Sequence, residues 1–360
     1  MEIGKRQDST TDVILVFTPW DAPQWWMKYM ATTHPSIEVR WVNSTAPDRS
    51  LKRPEDTPLE IWDGVTILCT YEPPPAHLLR SVRFVQLTSA GSDMWVGHPT
   101  FEDEKVVFCT SNGIQPPQIA EWVIGSWLSF SHHFAKYAQD MKTGTWEAYN
   151  DSPVTDSLGA RMGILGYGAI GRQCAKLGQA LGMEIFAYTR TEKATPASRR
   201  DNGYNIPGTG DPEGVIPAKW FHGTSKETIN DFLSQGFDIL VLCLPLTSET
   251  RNLLSAEQFA LLSRKKTFVS NVSRGPLIDQ KALIDALTSG QIRGAALDVA
   301  DPEPLPADHP LWKAPNLLIT PHVSWKSVEY WTRLLDLFGK NLERMTEGKP
   351  LLNSINRKLK

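Results

Sequence analysis

The chain has little cysteine, little net charge and no long apolar run, and each shortage excludes something. Its four cysteines, Cys69, Cys109, Cys174 and Cys243, are spread over 360 residues. That is too few for a disulfide scaffold, and the spacing suits no metal, so metal ligation is not expected. Cys174 and Cys243 fall inside apolar stretches, where free cysteine packs as a small hydrophobe. Reduced thiols and a cytoplasmic setting are the expectation. The formal charge is only -3, and Arg199-Arg200 and Arg264-Lys265-Lys266 are too short to form a basic stripe. Neither nucleic acid nor a membrane surface is therefore an expected partner. No apolar run approaches membrane-spanning length. The opening MEIGKRQD lacks the apolar core of a signal peptide, and the closing RKLK matches no targeting signal.

What the chain does have is one highly structured stretch, MGILGYGAIGRQCAKLGQALGMEIFAYTR, over residues 162–190. Met162-Gly163-Ile164-Leu165 suits a buried parallel strand. Gly166, Gly168 and Gly171 follow as G-x-G-x-x-G, then Ile170, Cys174, Leu177 and Leu181 at helical spacing, with Gly182 as a stop. Ile185-Phe186-Ala187-Tyr188 completes strand, glycine turn, helix, strand. The first glycine permits the turn, the second lets backbone approach a pyrophosphate, and the third lets the helix lie close on the strand. The phosphates sit on unpaired N–H groups at the helix start. This order of elements predicts dinucleotide binding. A cofactor site for NAD usually shows an acid after the second strand, to hold the ribose 2′-hydroxyl. Here Thr189-Arg190-Thr191 stands instead. With no carboxylate to repel a 2′-phosphate and Arg190 able to pair with it, NADP(H) is the expected cofactor and NAD(H) the second choice.

A length of 360 residues is consistent with two domains. Residues 12–18, 37–42, 61–68, 83–88 and 106–109 read as strands, with helical segments at 20–30 and 76–80 between them. Such alternation predicts a parallel α/β sheet. Pro116-Pro117 opens a long apolar helix over residues 118–134, which reads as a linker element. Gly144-Thr145-Trp146 and Ser152-Pro153 mark a loop before the nucleotide-binding strand. Residues 191–236 are polar and rich in Gly and Pro, and read as a surface insertion. Strands resume at 237–245, 267–272, 292–299 and 317–320, with helices at 282–289 and 327–346. The tail is expected to return to the first unit.

Three stretches place polar residues where strands end, which is where an open α/β sheet presents its ligand site. They are Asn271 to Gly275, Leu297 to Pro304, and Thr320-Pro321-His322. Hydride transfer to a 2-oxo acid needs a planar cation for the carboxylate, a donor and proton for the carbonyl oxygen, and an acid to orient the imidazole. Taken singly, His322 reads first as a structural histidine, Arg274 as a turn residue and Glu303 as a loop acid. Only their combination points to chemistry.

The motifs GILGYGAIGR (163–172), LPLTSETRNLL (244–254), NVSRGPLID (271–279), GAALDVADPEPLP (294–306), HPLWKAPNLLITPH (309–322) and, more loosely, QLTSAGSD (86–93) follow one another in order. In this the chain resembles the D-isomer-specific 2-hydroxyacid dehydrogenase family, which includes glyoxylate and hydroxypyruvate reductases. The resemblance implies two Rossmann-like parallel-sheet domains, the cofactor domain (116–322) inserted into a substrate domain formed by 1–115 and 323–360. It implies Arg274 as the arginine that binds the substrate carboxylate and polarises the carbonyl, His322 as acid/base and Glu303 as its partner. Ser89, Ala90 and Gly91 match the loop whose amides receive the substrate carboxylate. Cofactor contacts fall on Gly166, Gly168, Ala169, Ile170, Gly171, Thr189, Arg190, Thr191, Leu244, Pro245, Thr250, Val272, Ser273 and His322, and on Asp298 toward the nicotinamide carboxamide. The implied activity is reduction of a 2-oxo acid to a D-2-hydroxy acid, and the implied assembly is a homodimer. The same family contains dinucleotide-sensing transcriptional corepressors, which is the alternative reading. Departures are Thr189-Arg190 in place of an acid, the long segment after Thr191, and Trp325, which either lines the pocket or packs the hinge.

Overall fold

The structure is a computed structural model that describes residues 11–146 and 153–355. The terminal segments read for targeting, and Ser152 in the expected loop, lie outside the described residues. The chain divides into two compact units, one built from the residues up to Ile114 and from Val328 on, the other from Gln115–Ser327.

In the first unit β1 (Val13–Thr18), α1 (Gln24–Thr33), β2 (Glu38–Asn43), β3 (Ile67–Thr70), β4 (Phe84–Leu87), α2 (Pro99–Glu102) and β5 (Val107–Cys109) follow in order. The five strands form one parallel sheet, β2-β1-β3-β4-β5. Pro23 delays the first helix past Trp20 by fixing the residue before it as extended. The helical reading of residues 76–80 shrinks to a 3-10 turn, Ala76–Leu78, behind three prolines.

The second unit opens with α3 (Pro116–Ser131) and α4 (Phe134–Thr143). The helix expected over residues 118–134 forms as α3 but ends at Ser131, because His133 takes a left-handed φ of 56°, and α4 is an addition to that expectation. α3 is a core helix rather than a linker: Ile119, Val123 and Trp127 share an apolar cluster with Met162, Ile164 and Cys174. Then come β6 (Arg161–Leu165), α5 (Ala169–Ala180), β7 (Glu184–Thr189), α6 (Pro196–Arg199), β8 (Lys219–His222), α7 (Lys226–Leu233) and β9 (Ile239–Leu242). After them run α8 (Ala256–Leu262), β10 (Phe268–Asn271), α9 (Gln280–Thr288), β11 (Gly294–Leu297) and β12 (Leu317–Ile319). Seven strands lie in the order β12-β11-β10-β9-β6-β7-β8, all paired in parallel. Both faces are covered, which is why β9 is uninterruptedly apolar. Its Ile239 and Val241 enter one cluster, its Leu240 and Leu242 the other.

The segment 191–236 is more than a surface insertion. It supplies β8, which pairs with β7 at the sheet edge, and the helices α6 and α7. Trp220 meets Tyr167 on one face and Phe221 meets Phe186 on the other. Two aromatics in a four-residue strand anchor it, although the Gly- and Pro-rich text around it reads as loop.

The last helix, α10 (Tyr330–Thr346), belongs to the first unit. Its Phe338 stacks on Trp26, and its buried Asn341 donates to Gln86 Oε1 at 3.0 Å while accepting from Leu352 N at 2.8 Å. Such buried amides are costly unless paired, and here they tie the returning tail to β4.

Candidate active site

The glycine turn after β6 separates glycines that the fold requires from one that it does not. Gly166 has φ 97°, and a Cβ there would come within 2.7 Å of Cys243 O. A Cβ on Gly171 would overlap Gly166 O. Gly168 differs: an added Cβ would meet nothing within 4 Å. The space before it is thus empty of protein, directly ahead of the first-turn N–H groups of α5 at Ala169 and Ile170, which have no intrahelical acceptors. That cradle fits a dinucleotide pyrophosphate.

At the end of β7, Thr189 Oγ1 donates to Thr191 O at 2.8 Å and turns the chain, leaving Arg190 exposed. Glu249 in the loop after β9 is held below its ordinary carboxyl range, chiefly by the Thr247 hydroxyl, with the Arg190 charge contributing. Arg190 therefore lies within electrostatic reach of that loop. The loop is self-braced, with Thr250 Oγ1 donating to Pro245 O at 2.8 Å. Ser273 Oγ donates to Leu244 O, which joins it to the loop after β10. Val272 is buried in the apolar cluster with Met162.

The loop after β10 is shaped by Asn271, whose side chain is buried. Its Oδ1 accepts from Ser273 N at 3.0 Å and its Nδ2 donates to Arg274 O at 3.0 Å. Arg274 Nη1 donates to Ser273 O at 2.8 Å, which fixes the guanidinium base. A Cβ on Gly275 would overlap Ala300 O, so only glycine lets this loop touch the one that carries Glu303. Glu303 Oε1 accepts from Ala300 N at 3.0 Å, and Oε2 pairs with His322 Nδ1 at 2.7 Å. Burial pushes the Glu303 carboxyl up, but the His322 and Ala300 hydrogen bonds and the His322 and Arg274 charges outweigh it and hold it low. Guanidinium, imidazole and carboxylate are thus assembled within one unit.

His322 sits at φ 53°, uncommon for a non-glycine residue. The surroundings impose it. Its N–H donates to Asp298 O at 2.8 Å, and Trp325 Nε1 donates to His322 O at 2.8 Å. Gln118 on α3 holds Trp325 O at 2.8 Å. Trp325, open between two readings from sequence, is a brace for the histidine turn. Asp298 is buried, its Oδ1 accepting from Thr320 Oγ1 (2.5 Å) and Val323 N (2.9 Å) and its Oδ2 from Ser324 N (2.9 Å). A nicotinamide carboxamide would have to share Oδ2 with Ser324. Asn271, Gln118 and Thr320 are supporting residues that spacing alone did not single out. Asn271 and Thr320 at least sit at strand ends beside singled-out residues, whereas nothing local marks Gln118.

In the first unit, Ser89 Oγ donates to Gly91 O at 2.6 Å and Ser111 N donates to Ser89 O at 2.8 Å. Tyr330 OH donates to Thr88 O. The Ser89-Ala90-Gly91 loop is thus closed on itself and pinned at its start.

Among the described residues, no helix is long and apolar enough to cross a membrane. Residues 124–206 and 215–324 match the family model described as D-isomer specific 2-hydroxyacid dehydrogenase, NAD binding domain. A hydroxypyruvate reductase from Blautia hydrogenotrophica is 30% identical over 316 residues, covering 86% of this chain and 90% of the relative. A glyoxylate/hydroxypyruvate reductase B from Escherichia fergusonii is 30% identical over 280 residues, 74% of this chain and 78% of the relative. Among solved structures, a D-isomer specific 2-hydroxyacid dehydrogenase from Xanthobacter autotrophicus Py2, in complex with NADPH and MES, superposes with TM-score 0.73 at 28% identity. It covers 97% of this chain and 99% of its own. Nothing in these relatives supports the corepressor alternative.

Proposed function

The chain belongs to the D-isomer-specific 2-hydroxyacid dehydrogenase family of NAD(P)-dependent enzymes that act on 2-oxo acids, and from that premise we propose that it uses NADPH. We assign it glyoxylate, hydroxypyruvate or a bulkier 2-oxo acid as substrate and the D-2-hydroxy acid as product. The observation that carries the reading is the Arg274–Glu303–His322 assembly, with Glu303 on the histidine Nδ1 at 2.7 Å.

When bound at the glycine turn, a reduced dinucleotide would supply hydride for C2 of the oxo acid. Arg274 takes the substrate carboxylate in a planar two-point contact and polarises the carbonyl. Negative charge that develops on the carbonyl oxygen is stabilised by the guanidinium. Because Nδ1 of His322 is held by Glu303, the other ring nitrogen, Nε2, is the one that faces substrate and gives the proton. Glu303, held low, stays ionised and keeps the ring oriented for transfer. Asp298 and Trp325 hold the turn that aims the ring. The amides of Ser89, Ala90 and Gly91 are assigned to the substrate carboxylate.

NADPH over NADH rests on Arg190 and on the missing acid at Thr189. The Xanthobacter relative that binds NADPH supports this choice. A homodimer is proposed through the second unit. α4 supports it, since none of its residues is buried and Phe134, Tyr137 and Met141 lie exposed at helical spacing. A cytoplasmic setting is proposed on the four free cysteines, of which burial pushes Cys69 and Cys109 up to about 12.

The test is His322→Ala. Turnover of 2-oxo acids should be lost while NADPH binding, followed by fluorescence titration, stays intact. Binding lost together with turnover would count against the assigned role.

A further inference from the structure

The segment after Thr191 holds residues 207–214, which the family model leaves unmatched, and its buried chemistry is directed at the glycine turn. Asp211 lies in it, 3% exposed, at the centre of a polar knot. Its Oδ1 accepts from Val215 N at 3.0 Å and its Oδ2 from Ile216 N at 3.1 Å. The third donor is the phenol of Tyr167, at 2.8 Å from Oδ2. Tyr167 is the residue between Gly166 and Gly168, so its backbone is part of the pyrophosphate cradle.

The segment also seizes the outer residues of α5 in succession. Arg172 donates Nη1 to Asp211 O at 2.5 Å and Nη2 to Arg199 O at 2.7 Å, and its Nε lies 3.6 Å from Asp201 Oδ2. Gln173 Oε1 accepts from Gly210 N at 2.6 Å, and Lys176 Nζ donates to Gly208 O at 2.5 Å. The Arg172 guanidinium stacks over the Tyr167 ring at 4.9 Å, and Trp220 of β8 closes the ring's other approach edge-on at 5.0 Å. Burial, then the charge and hydrogen bond of Asp211, push the Tyr167 phenol up, so it remains a donor. A solvated surface loop has no use for a buried carboxylate of its own set beside a buried guanidinium of the neighbouring helix; both are costly unless satisfied.

We propose that Asp211, Tyr167 and Arg172 form a brace by which the 191–236 segment fixes the glycine turn and the start of α5 in the shape that receives the dinucleotide pyrophosphate. These are positioning residues, since none is assigned a contact with substrate or cofactor. The inference rests on the dinucleotide reading of the Gly166–Gly171 turn. The pyrophosphate is common to NADPH and NADH, so the brace acts on both alike. The chemistry at Arg274 and His322 lies on other loops and is untouched by it.

The experiment is fluorescence titration of NADPH and of NADH against Tyr167→Phe and Arg172→Lys in the full chain, with kcat at saturating cofactor and a melting curve. Tyr167→Phe deletes only the phenol oxygen, leaving the carboxylate its two backbone donors. The dissociation constants for both cofactors should rise by the same factor, about tenfold, the low end for a lost hydrogen bond to a charged group. kcat at saturation should change less than twofold. Unchanged affinities with a lower melting temperature would overturn the proposal, leaving a structural role only. A loss confined to NADPH would overturn it too, placing the residues at the 2′-phosphate. If the unaltered chain binds neither cofactor, the cofactor reading itself fails; if it binds and the variants bind equally well, only the brace does.

Discussion

Replacing Gly168 by Ala separates a glycine kept for a ligand from one kept for the fold. The added Cβ meets no protein atom within 4 Å, and the backbone there is extended with φ -88°. Nothing in the folded chain opposes it. By restricting the unfolded chain, the methyl should stabilise by up to about 0.4–1 kcal/mol, so melting should hold or rise slightly. On the proposed reading the cofactor has no such freedom, because the methyl would project into the space assigned to the pyrophosphate. Affinity for both NADPH and NADH should fall by at least about tenfold, roughly 1.4 kcal/mol. Gly171→Ala is the contrasting control. Its Cβ overlaps Gly166 O, which is backbone and cannot swing aside, so an overpacking cost of about 1–3 kcal/mol is expected. In a domain of this size that lowers the melting temperature by about 2–4 °C per kcal/mol. Differential scanning fluorimetry and fluorescence titration on the two variants give all four numbers. If Gly168→Ala binds cofactor as tightly as the unaltered chain, the turn does not carry the pyrophosphate and the reasoning fails.

Arg190→Ala should weaken NADPH by about 10- to 100-fold, the range for a charge-assisted bidentate contact, and NADH by less than twofold; equal losses in titration would refute the cofactor choice. Arg274→Lys keeps the charge but not the planar fork, so kcat/KM for 2-oxo acids should fall about 100-fold, roughly 2.7 kcal/mol, with cofactor affinity unchanged; near-normal kinetics would remove Arg274 from the carboxylate. Glu303→Gln removes the carboxylate that holds His322 Nδ1 at 2.7 Å, so kcat for 2-oxo acids should fall by about tenfold or more with cofactor affinity unchanged, and an undiminished kcat would dissolve the pairing. The native Glu303 carboxyl is held low. Its contribution to stability is therefore present above the ordinary carboxyl value of about 4.3 and lost as pH falls through the lower native value. Melting curves of the unaltered chain and Glu303→Gln should differ by a constant, small amount above about pH 4.5 and converge below it; a gap that widens in acid would reverse the assigned sign.

The glycine turn was legible because its signal is local. A strand, three glycines, a helix and a strand lie within residues 162–190, and each obeys its own periodicity. Arg274, Glu303 and His322 were legible only together and through family motifs, since each is ambiguous alone; their assembly depends on Gly275 letting two loops touch. What sequence could not reach is tertiary. β8 is four residues long inside Gly- and Pro-rich text, and only its aromatic contacts on both faces make it a strand. The break at His133 carries no glycine or proline to announce it. Trp325 is ambiguous in sequence because its role rests on a tertiary bond, from its indole N–H to His322 O. The family resemblance implies Asp298 as a ligand of the nicotinamide carboxamide, yet its carboxylate also holds the backbone of the histidine turn.

The central claim is that Arg274, Glu303 and His322 reduce a 2-oxo acid with NADPH, and steady-state kinetics test it most directly. Glyoxylate, hydroxypyruvate and bulkier 2-oxo acids would each be offered with NADPH and with NADH, following loss of the reduced dinucleotide's near-ultraviolet absorbance and the configuration of any chiral product. Turnover of at least one oxo acid, faster with NADPH and giving the D-hydroxy acid, is the predicted result. Flat traces for every oxo acid with both cofactors, or an L product, would contradict it.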